Sequence, residues 1–290
     1  MNEEALLVGP TKSLAAIYSA GLVTEGKDPK TAVLLLNSGL IHHAGPARLY
    51  TRLARCLASK GKHTIRFDLS GIGDSIARPD NLSIYQIATQ EPKEVMDYLQ
   101  RRGFTQFILA GICSGAYCAF KAALVDHRVI ATVLINYQDD TVNNQLTEQA
   151  WSQRYWRNSL FRLDAWRNLV TGNVNYQRLF STLGKSVKSV VMKTADPQNS
   201  ESDKNNAQSA SFADEMERLL EREVRVLMLI SGLDISQEFL RVLMGDKLNH
   251  FQQHPMVEVC VIDGADHLFT NLSHQQQFID IVESWITPIQ

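Results

Sequence analysis

Fifteen residues, Gln106 to Phe120, restrict this chain more than any other stretch. They read QFILAGICSGAYCAF: an apolar run, then Gly111-Ile112-Cys113-Ser114-Gly115, then a small, partly apolar segment that continues to Val125. That is strand, tight turn, helix. The turn fits the pattern G-x-nucleophile-x-G, with Cys113 where serine commonly stands. A nucleophile on a strained strand-to-helix turn needs very small residues two positions before and two after it, and Gly111 and Gly115 meet that need. The new helix aims its free N–H groups and positive end at the thiolate and at any oxyanion beside it. Ser114 is the rival nucleophile. Its flanking positions would be Ile112 and Ala116, and β-branched Ile112 suits a crowded turn poorly. The bland alternative is a strand end carrying a buried structural cysteine, and the two bracketing glycines argue against it.

The segments around this turn alternate in a regular way. Residues 4–8 and 14–23 are apolar runs separated by Gly-Pro-Thr-Lys, which predicts an antiparallel hairpin at a sheet edge. Thr31 to Leu36 (TAVLLL) is a continuous apolar run, as expected of a strand covered on both faces. A helix is predicted from Pro46 to Ser59, closed by Gly61, and a strand from His63 to Leu69. Residues 84–101 have helical spacing, with Pro92 as a break or a start. The Cys113 strand and helix follow, then a buried strand from Val129 to Tyr137. This is an α/β layout with a mainly parallel sheet. The rhythm stops at Gln138. Residues 140–210 hold Trp151, Trp156 and Trp166 and end in a polar run, TADPQNSESDKNNAQSA. They are read as a helical cap with a loop, set into a core made of residues 1–139 and 211–290. Strand and helix then resume: Val224 to Ser231, 236–249, Met256 to Asp263 and 272–286.

A cysteine nucleophile needs a base, and the base needs an orienting carboxylate. The strand ending at Ile230 leads into Ser231-Gly232-Leu233-Asp234, and the strand ending at Ile262 leads into Asp263-Gly264-Ala265-Asp266-His267. Both loops lie at the C-terminal edge of the sheet, where α/β chemistry gathers. Cys113, Asp234 and His267 are therefore the candidate nucleophile, acid and base. Asp234 has a simpler reading as a helix cap or turn residue, and Asp139 or Asp140 could supply the acid instead. Of the other seven histidines, His42 and His43 precede the elbow, His63 and His127 lie at the wrong edge, His250 and His254 precede the strand that should deliver the base, and His274 begins the last helix. The oxyanion donors expected are the N–H groups of Ser114 and Leu40, with Gly39 giving the backbone freedom to aim the second. His42 and His43 either line the acyl or leaving-group side or stand in solvent. Trp151 and Trp156 are core residues of the cap, or walls of an acyl pocket. Gly71 and Gly73 (LSGIGDS) lack the spacing of a phosphate loop and are read as a tight turn.

Charge excludes some partners. The net charge is −2 over 290 residues, which gives no electrostatic case for nucleic acid or an anionic membrane. No apolar run reaches spanning length, and MNEEALLVGP lacks the pattern of a signal peptide. Four scattered cysteines show no metal spacing, so the expectation is a reduced, cytoplasmic protein with no metal and no cofactor.

In strand and loop order, GICSG, SGLD and GADH resemble the α/β-hydrolase superfamily over nearly the whole chain. More closely, LLLNSGLIHHAGPARLYTRLARCLASKG, IRFDLSGIGDS, GICSGA and Trp166 to Val174 resemble bacterial hydrolases associated with exosortase systems, and relatives encoded beside polyketide or nonribosomal peptide assembly lines. The resemblance implies an α/β-hydrolase fold and acyl chemistry. Cysteine in place of serine departs from the commoner pattern. Cys–His–Asp sites occur in dienelactone hydrolases, polyhydroxyalkanoate synthases and some assembly-line thioesterases, which brings esters, lactones and thioesters into play. The expectation is a hydrolase or acyltransferase acting on a carrier-linked or CoA thioester, with an acyl or peptidyl carrier protein as partner. The alternatives are a small-ester or lactone hydrolase, and a non-catalytic binding protein.

Overall fold

A computed structural model describes residues 2–22, 30–80, 82–138 and 211–289. The sheet and its helices belong to one compact unit, Met1–Ala150 with Phe212–Gln290; Trp151–Ser211 divides from it. The expected cap, 140–210, lies outside the described residues, as do Asp139, Asp140, Trp151 and Trp156.

Eight strands form one sheet: β1 (Glu3–Val8), β2 (Leu14–Ser19), β3 (Thr31–Leu36), β4 (His63–Phe67), β5 (Gln106–Ile112), β6 (Val129–Ile135), β7 (Arg225–Ser231) and β8 (Val257–Ile262). Their spatial order is β1-β2-β4-β3-β5-β6-β7-β8. The β1–β2 hairpin is antiparallel and joins β4 antiparallel; every other pairing is parallel. Among the described residues the α-helices are α1 (Leu49–Ser59), α2 (Ile84–Gln100), α3 (Ser114–Val125), α4 (Phe212–Glu221), α5 (Ser236–Met244), α6 (Leu248–Gln253) and α7 (Leu272–Ile286).

The uniform apolar run of β3 follows from its place in the middle. All six of its residues are buried. Val33 and Leu35 face Leu49, Leu53, Phe278 and Val282 of α1 and α7, whereas Leu34 and Leu36 face the side holding Val95, Ala116 and Met216 of α2, α3 and α4. Two apolar faces leave no position for a polar residue, so the period of two is invisible in the sequence. Each fully buried leucine contributes roughly 1.5–3 kcal/mol.

Three boundaries differ from expectation. Residues Pro46–Arg48 form a 3₁₀ turn, and Ala47 (φ 45°) and Arg48 (φ 63°) break it from α1, which begins at Leu49. Pro92 neither starts nor ends α2; it lies inside the helix, buried, while Ser83 caps the helix in a reciprocal bond with Gln86. The helix expected over 236–249 is two helices, α5 and α6, separated by a turn at Gly245 (φ 51°).

The register places the site. Leu36 pairs with both Phe67 and Gly111, Ile112 with Ile135, and Ser231 with Ile262. The residues that follow these strands therefore leave the sheet along a single edge: Asn37, Asp68, Cys113, Asn136, Gly232 and Asp263.

Candidate active site

The turn after β5 is built as its sequence suggests. Cys113 has φ 57° and ψ −118°, a strained conformation for a residue with a Cβ. A Cβ on Gly111 would lie 2.2 Å from the carbonyl carbon of Gly115, and one on Gly115 would lie 2.3 Å from the Asn37 oxygen. Any larger residue at either place would push strand and helix apart. The backbone is held on both sides. Cys113 N–H donates to the Ile135 carbonyl (2.8 Å), and Ile112 N–H donates to the hydroxyl of fully buried Tyr50 (2.8 Å). Ser114, in contrast, begins α3, and its hydroxyl accepts the Gly39 N–H at 2.8 Å.

The loops carrying Asp234 and His267 are tied to each other by backbone. Gly232 N–H donates to the Ile262 carbonyl and Leu233 N–H to the Ala265 carbonyl, both at 2.9 Å. Asp266 accepts from the Leu268 and Thr270 N–H groups and so closes the turn around His267. These bonds bring Asp234 Oδ2 to 2.9 Å from His267 Nδ1. Asp234 is also bonded to Ser236, accepting from its hydroxyl and, at 3.3 Å, from its N–H. It is thus both a turn residue before α5 and the partner of His267. Burial pushes the Asp234 carboxyl up, but the bonds from His267 and Ser236 outweigh it and leave the group below its ordinary value. His267 is raised to about 10, first by its bond to Asp234, then by its bond to Cys113, against the opposing effect of burial.

His267 is also held from behind. Asn136, fully buried with φ 46°, donates through Nδ2 to the Ser231 hydroxyl (2.7 Å) and to the His267 carbonyl (2.8 Å), and accepts from Ser231 N–H (2.8 Å). It joins the ends of β6 and β7 to the loop carrying the imidazole. Cys113 Sγ has a further neighbour, the Gln138 Oε1 at 3.4 Å.

Leu40 lies in a tight turn closed by Ile41 N–H on the Ser38 carbonyl (2.9 Å), with Gly39 at φ 53°. Among the described residues, no protein acceptor takes the N–H of Leu40 or of Ser114. Beneath this turn lies Asp68, fully buried. It accepts four hydrogen bonds: Oδ1 from Asn37 Nδ2 (2.8 Å) and His43 N–H (2.6 Å), Oδ2 from His43 Nδ1 (2.8 Å) and Asp74 N–H (3.1 Å). Asn37 Nδ2 also reaches the Ile41 carbonyl at 2.9 Å. Asp68 therefore anchors both ends of the turn. Gly73 owes its glycine to the same carboxylate, since a Cβ there would stand 2.4 Å from Asp68 Oδ2. Burial pushes the Asp68 carboxyl up, and the bonds from His43, Asp74 and Asn37 bring it below its ordinary value. His43, Asp68 and Asp74 are close enough together to suggest a metal centre. Both Asp68 oxygens already accept two N–H donors each, however, so this cluster is organised around hydrogen bonds. His42 is exposed and its Nδ1 accepts the Ala44 N–H at 3.3 Å.

Asn37, Tyr50, Asp68, Asn136 and Gln138 were not singled out in the sequence. Asn37, Asp68 and Asn136 share one signal: each is the first polar residue after a buried strand at the edge that carries the chemistry. A separate cavity of about 270 Å³, bounded by Met228, Ile230, Leu240, Met244, Phe251 and Val259, includes none of Cys113, Asp234 or His267. No helix among the described residues is long and apolar enough to cross a membrane.

Comparison with known proteins agrees with this architecture. A family model described as alpha/beta hydrolase fold matches residues 40–171. The uncharacterized protein YcjY of Escherichia coli (strain K12) is 34% identical over 128 residues, which span 42% of this chain and 40% of the length of that protein. An alpha-beta serine hydrolase homologue from Coxiella burnetii superposes with a TM-score of 0.55 at 16% identity, over 99% of this chain and 98% of its own. A thermophilic esterase from Thermogutta terrifontis superposes at 0.54 and 14% identity, over 99% of both chains. Likeness at this level of identity shows the fold.

Proposed function

We propose that this chain, which has the α/β-hydrolase fold, is an acyl hydrolase or acyltransferase that works through an acyl-cysteine intermediate. The observation that carries the reading is His267 bonded to Asp234 at 2.9 Å, at the same sheet edge as the strained Cys113. The three side chains come from three separate loops at one sheet edge, which supports the roles nucleophile, base and acid for Cys113, His267 and Asp234.

The chemistry follows from the groups. With His267 raised to about 10, its imidazole holds a proton at neutral pH, beside a sulfur that attacks as thiolate. The sulfur adds to the acyl carbonyl, and the oxygen takes up negative charge between the N–H groups of Ser114 and Leu40. Collapse breaks the bond to the leaving thiol or alcohol, which takes the proton of His267. The neutral imidazole then removes a proton from water, an alcohol or an amine as that acceptor attacks the acyl-cysteine. Asp234 keeps the ring oriented and balances its charge.

A thioester is the favoured substrate class. Attack by cysteine exchanges one thioester for another, so the intermediate remains activated and open to acceptors other than water. The likeness of the segments 34–61, 65–75 and 111–116 to hydrolases encoded beside assembly lines points the same way, toward a carrier-linked acyl group. The rival is hydrolysis of a small free ester or lactone. Comparing kcat/KM on acyl-carrier and CoA thioesters with that on matched oxyesters and lactones separates the two. The proposal expects thioesters to lead and Cys113→Ala to lose turnover on all of them. Faster turnover of free lactones would favour the rival, and full activity in Cys113→Ala would overturn both.

A further inference from the structure

Among the described residues, the side chain hydrogen-bonded to the sulfur of the candidate nucleophile is that of Gln138, just past the end of β6, with Oε1 3.4 Å from Cys113 Sγ. A thiol can donate to that oxygen. A thiolate cannot, and it needs donors instead. The carboxamide has both groups on one carbon, and half a turn about its last bond brings Nε2 to the place of Oε1. We propose that Gln138 is a catalytic residue that follows the protonation state of Cys113: it accepts from S–H when the sulfur is a thiol and donates Nε2–H to it when the sulfur is a thiolate. The inference rests on Cys113 being the reacting atom.

The placement supports this. Cys113 N–H is bonded to the Ile135 carbonyl at the end of β6, so strand and nucleophile share one backbone link. Three residues on, the chain presents Gln138 to the sulfur. The base comes from the loop after β8 and Gln138 from the end of β6, so the two are separate in the chain. Deprotonation leaves the S–H electron pair on sulfur and passes its proton to water. The thiolate then has an imidazolium and an amide N–H as donors. A glutamate at 138 would put a like charge against it, and a leucine would give it nothing.

The test reads the sulfur alone. Full-length wild type, Gln138→Leu, Gln138→Glu and Gln138→Asn are alkylated with iodoacetamide from pH 5 to 10. The new Sγ–C bond expels iodide, and peptide mass spectrometry assigns the label to Cys113, with Cys113→Ala as the blank. Thermal melting identifies the folded variants. The midpoint for Cys113 labelling should rise by about one pH unit in Gln138→Leu, from loss of a charge-assisted bond. It should rise further in Gln138→Glu, and least in Gln138→Asn. Midpoints equal to wild type in folded Gln138→Leu and Gln138→Glu would overturn the proposal. Labelling needs no substrate, so a failure of the acyl-transfer reading would show separately, as undiminished turnover in Cys113→Ala.

Discussion

Two histidine–aspartate pairs stand at the same edge of the sheet with almost the same geometry. His267 Nδ1 lies 2.9 Å from Asp234 Oδ2, and His43 Nδ1 lies 2.8 Å from Asp68 Oδ2. Their surroundings differ. Asp68 is wholly enclosed and bonded to two backbone N–H groups and Asn37 besides its histidine, so it holds a turn. Asp234 and His267 keep 12% and 31% of their side chains open, and a cysteine stands beyond the ring. The pair itself does not decide the role. What the imidazole meets on its other side, and how many fixed donors the carboxylate already serves, separates a scaffold from a candidate base.

That contrast can be broken most directly by exchanging which histidine is lost. His267→Ala should lower kcat by about 10³-fold or more at neutral pH. His43→Ala should lower it by less than about tenfold and act mainly on stability, and steady-state kinetics beside thermal melting reads both. Equal losses of kcat would erase the distinction. The carboxylates should divide in the same sense. Asp68→Ala leaves buried N–H donors without an acceptor and should cost about 3 kcal/mol of stability by denaturant titration. Asp234→Asn should keep the fold and lose about 10²–10⁴ in kcat. Asn136→Ala, which frees the loop behind His267, should cost about tenfold in kcat along with some stability, because it both positions the base and joins two strands.

Stability against pH sharpens the comparison further. The Asp234 carboxyl is held below its ordinary value of 3.8, so its contribution is present above that pH and is lost as pH falls through the lowered value. His267 is raised from 6.5 to about 10, so its contribution is whole below 6.5 and is lost as pH rises through about 10. The melting-temperature gap between wild type and Asp234→Asn should therefore be widest between about pH 4 and 6.5 and narrow toward pH 10. A gap that grows through pH 8 to 10 would contradict the charged pair. The smallest effect expected is that of Gly39→Ala. Nothing stands within 4 Å of the added Cβ, but φ is 53°, so a loss of about 1 kcal/mol and a slight drop in kcat should follow.

Much of this was legible in the sequence because it is periodic or steric. Apolar runs bounded by Gly and Pro gave the strands and their order, and Gly111 and Gly115 gave the elbow around Cys113. What was not legible depends on neighbours far away in the chain. Asn37 reads as an ordinary turn residue, and Asp68 as part of the strand from His63 to Leu69, until the pairing of β3 with β4 puts them side by side. Asn136 reads as an interior position of the strand from Val129 to Tyr137; its left-handed backbone and its bond to the His267 carbonyl, 131 positions away, exist only in the folded chain. Tyr50 is half of an amphipathic pattern, and nothing local says that its hydroxyl meets Ile112. The break at Ala47 and Arg48 was hidden for the same reason: Tyr50 packs so close to Gly45 that a Cβ there would stand 2.7 Å from its ring, so packing and not propensity sets where α1 begins.

The most direct measurement of the central claim is intact-protein mass spectrometry after incubation with a panel of acyl thioesters, in wild type, Cys113→Ala and Ser114→Ala. A mass gain of one acyl group in wild type and Ser114→Ala that vanishes in Cys113→Ala is the predicted result. A gain that persists in Cys113→Ala and vanishes in Ser114→Ala would contradict it and move the chemistry to the residue that begins α3.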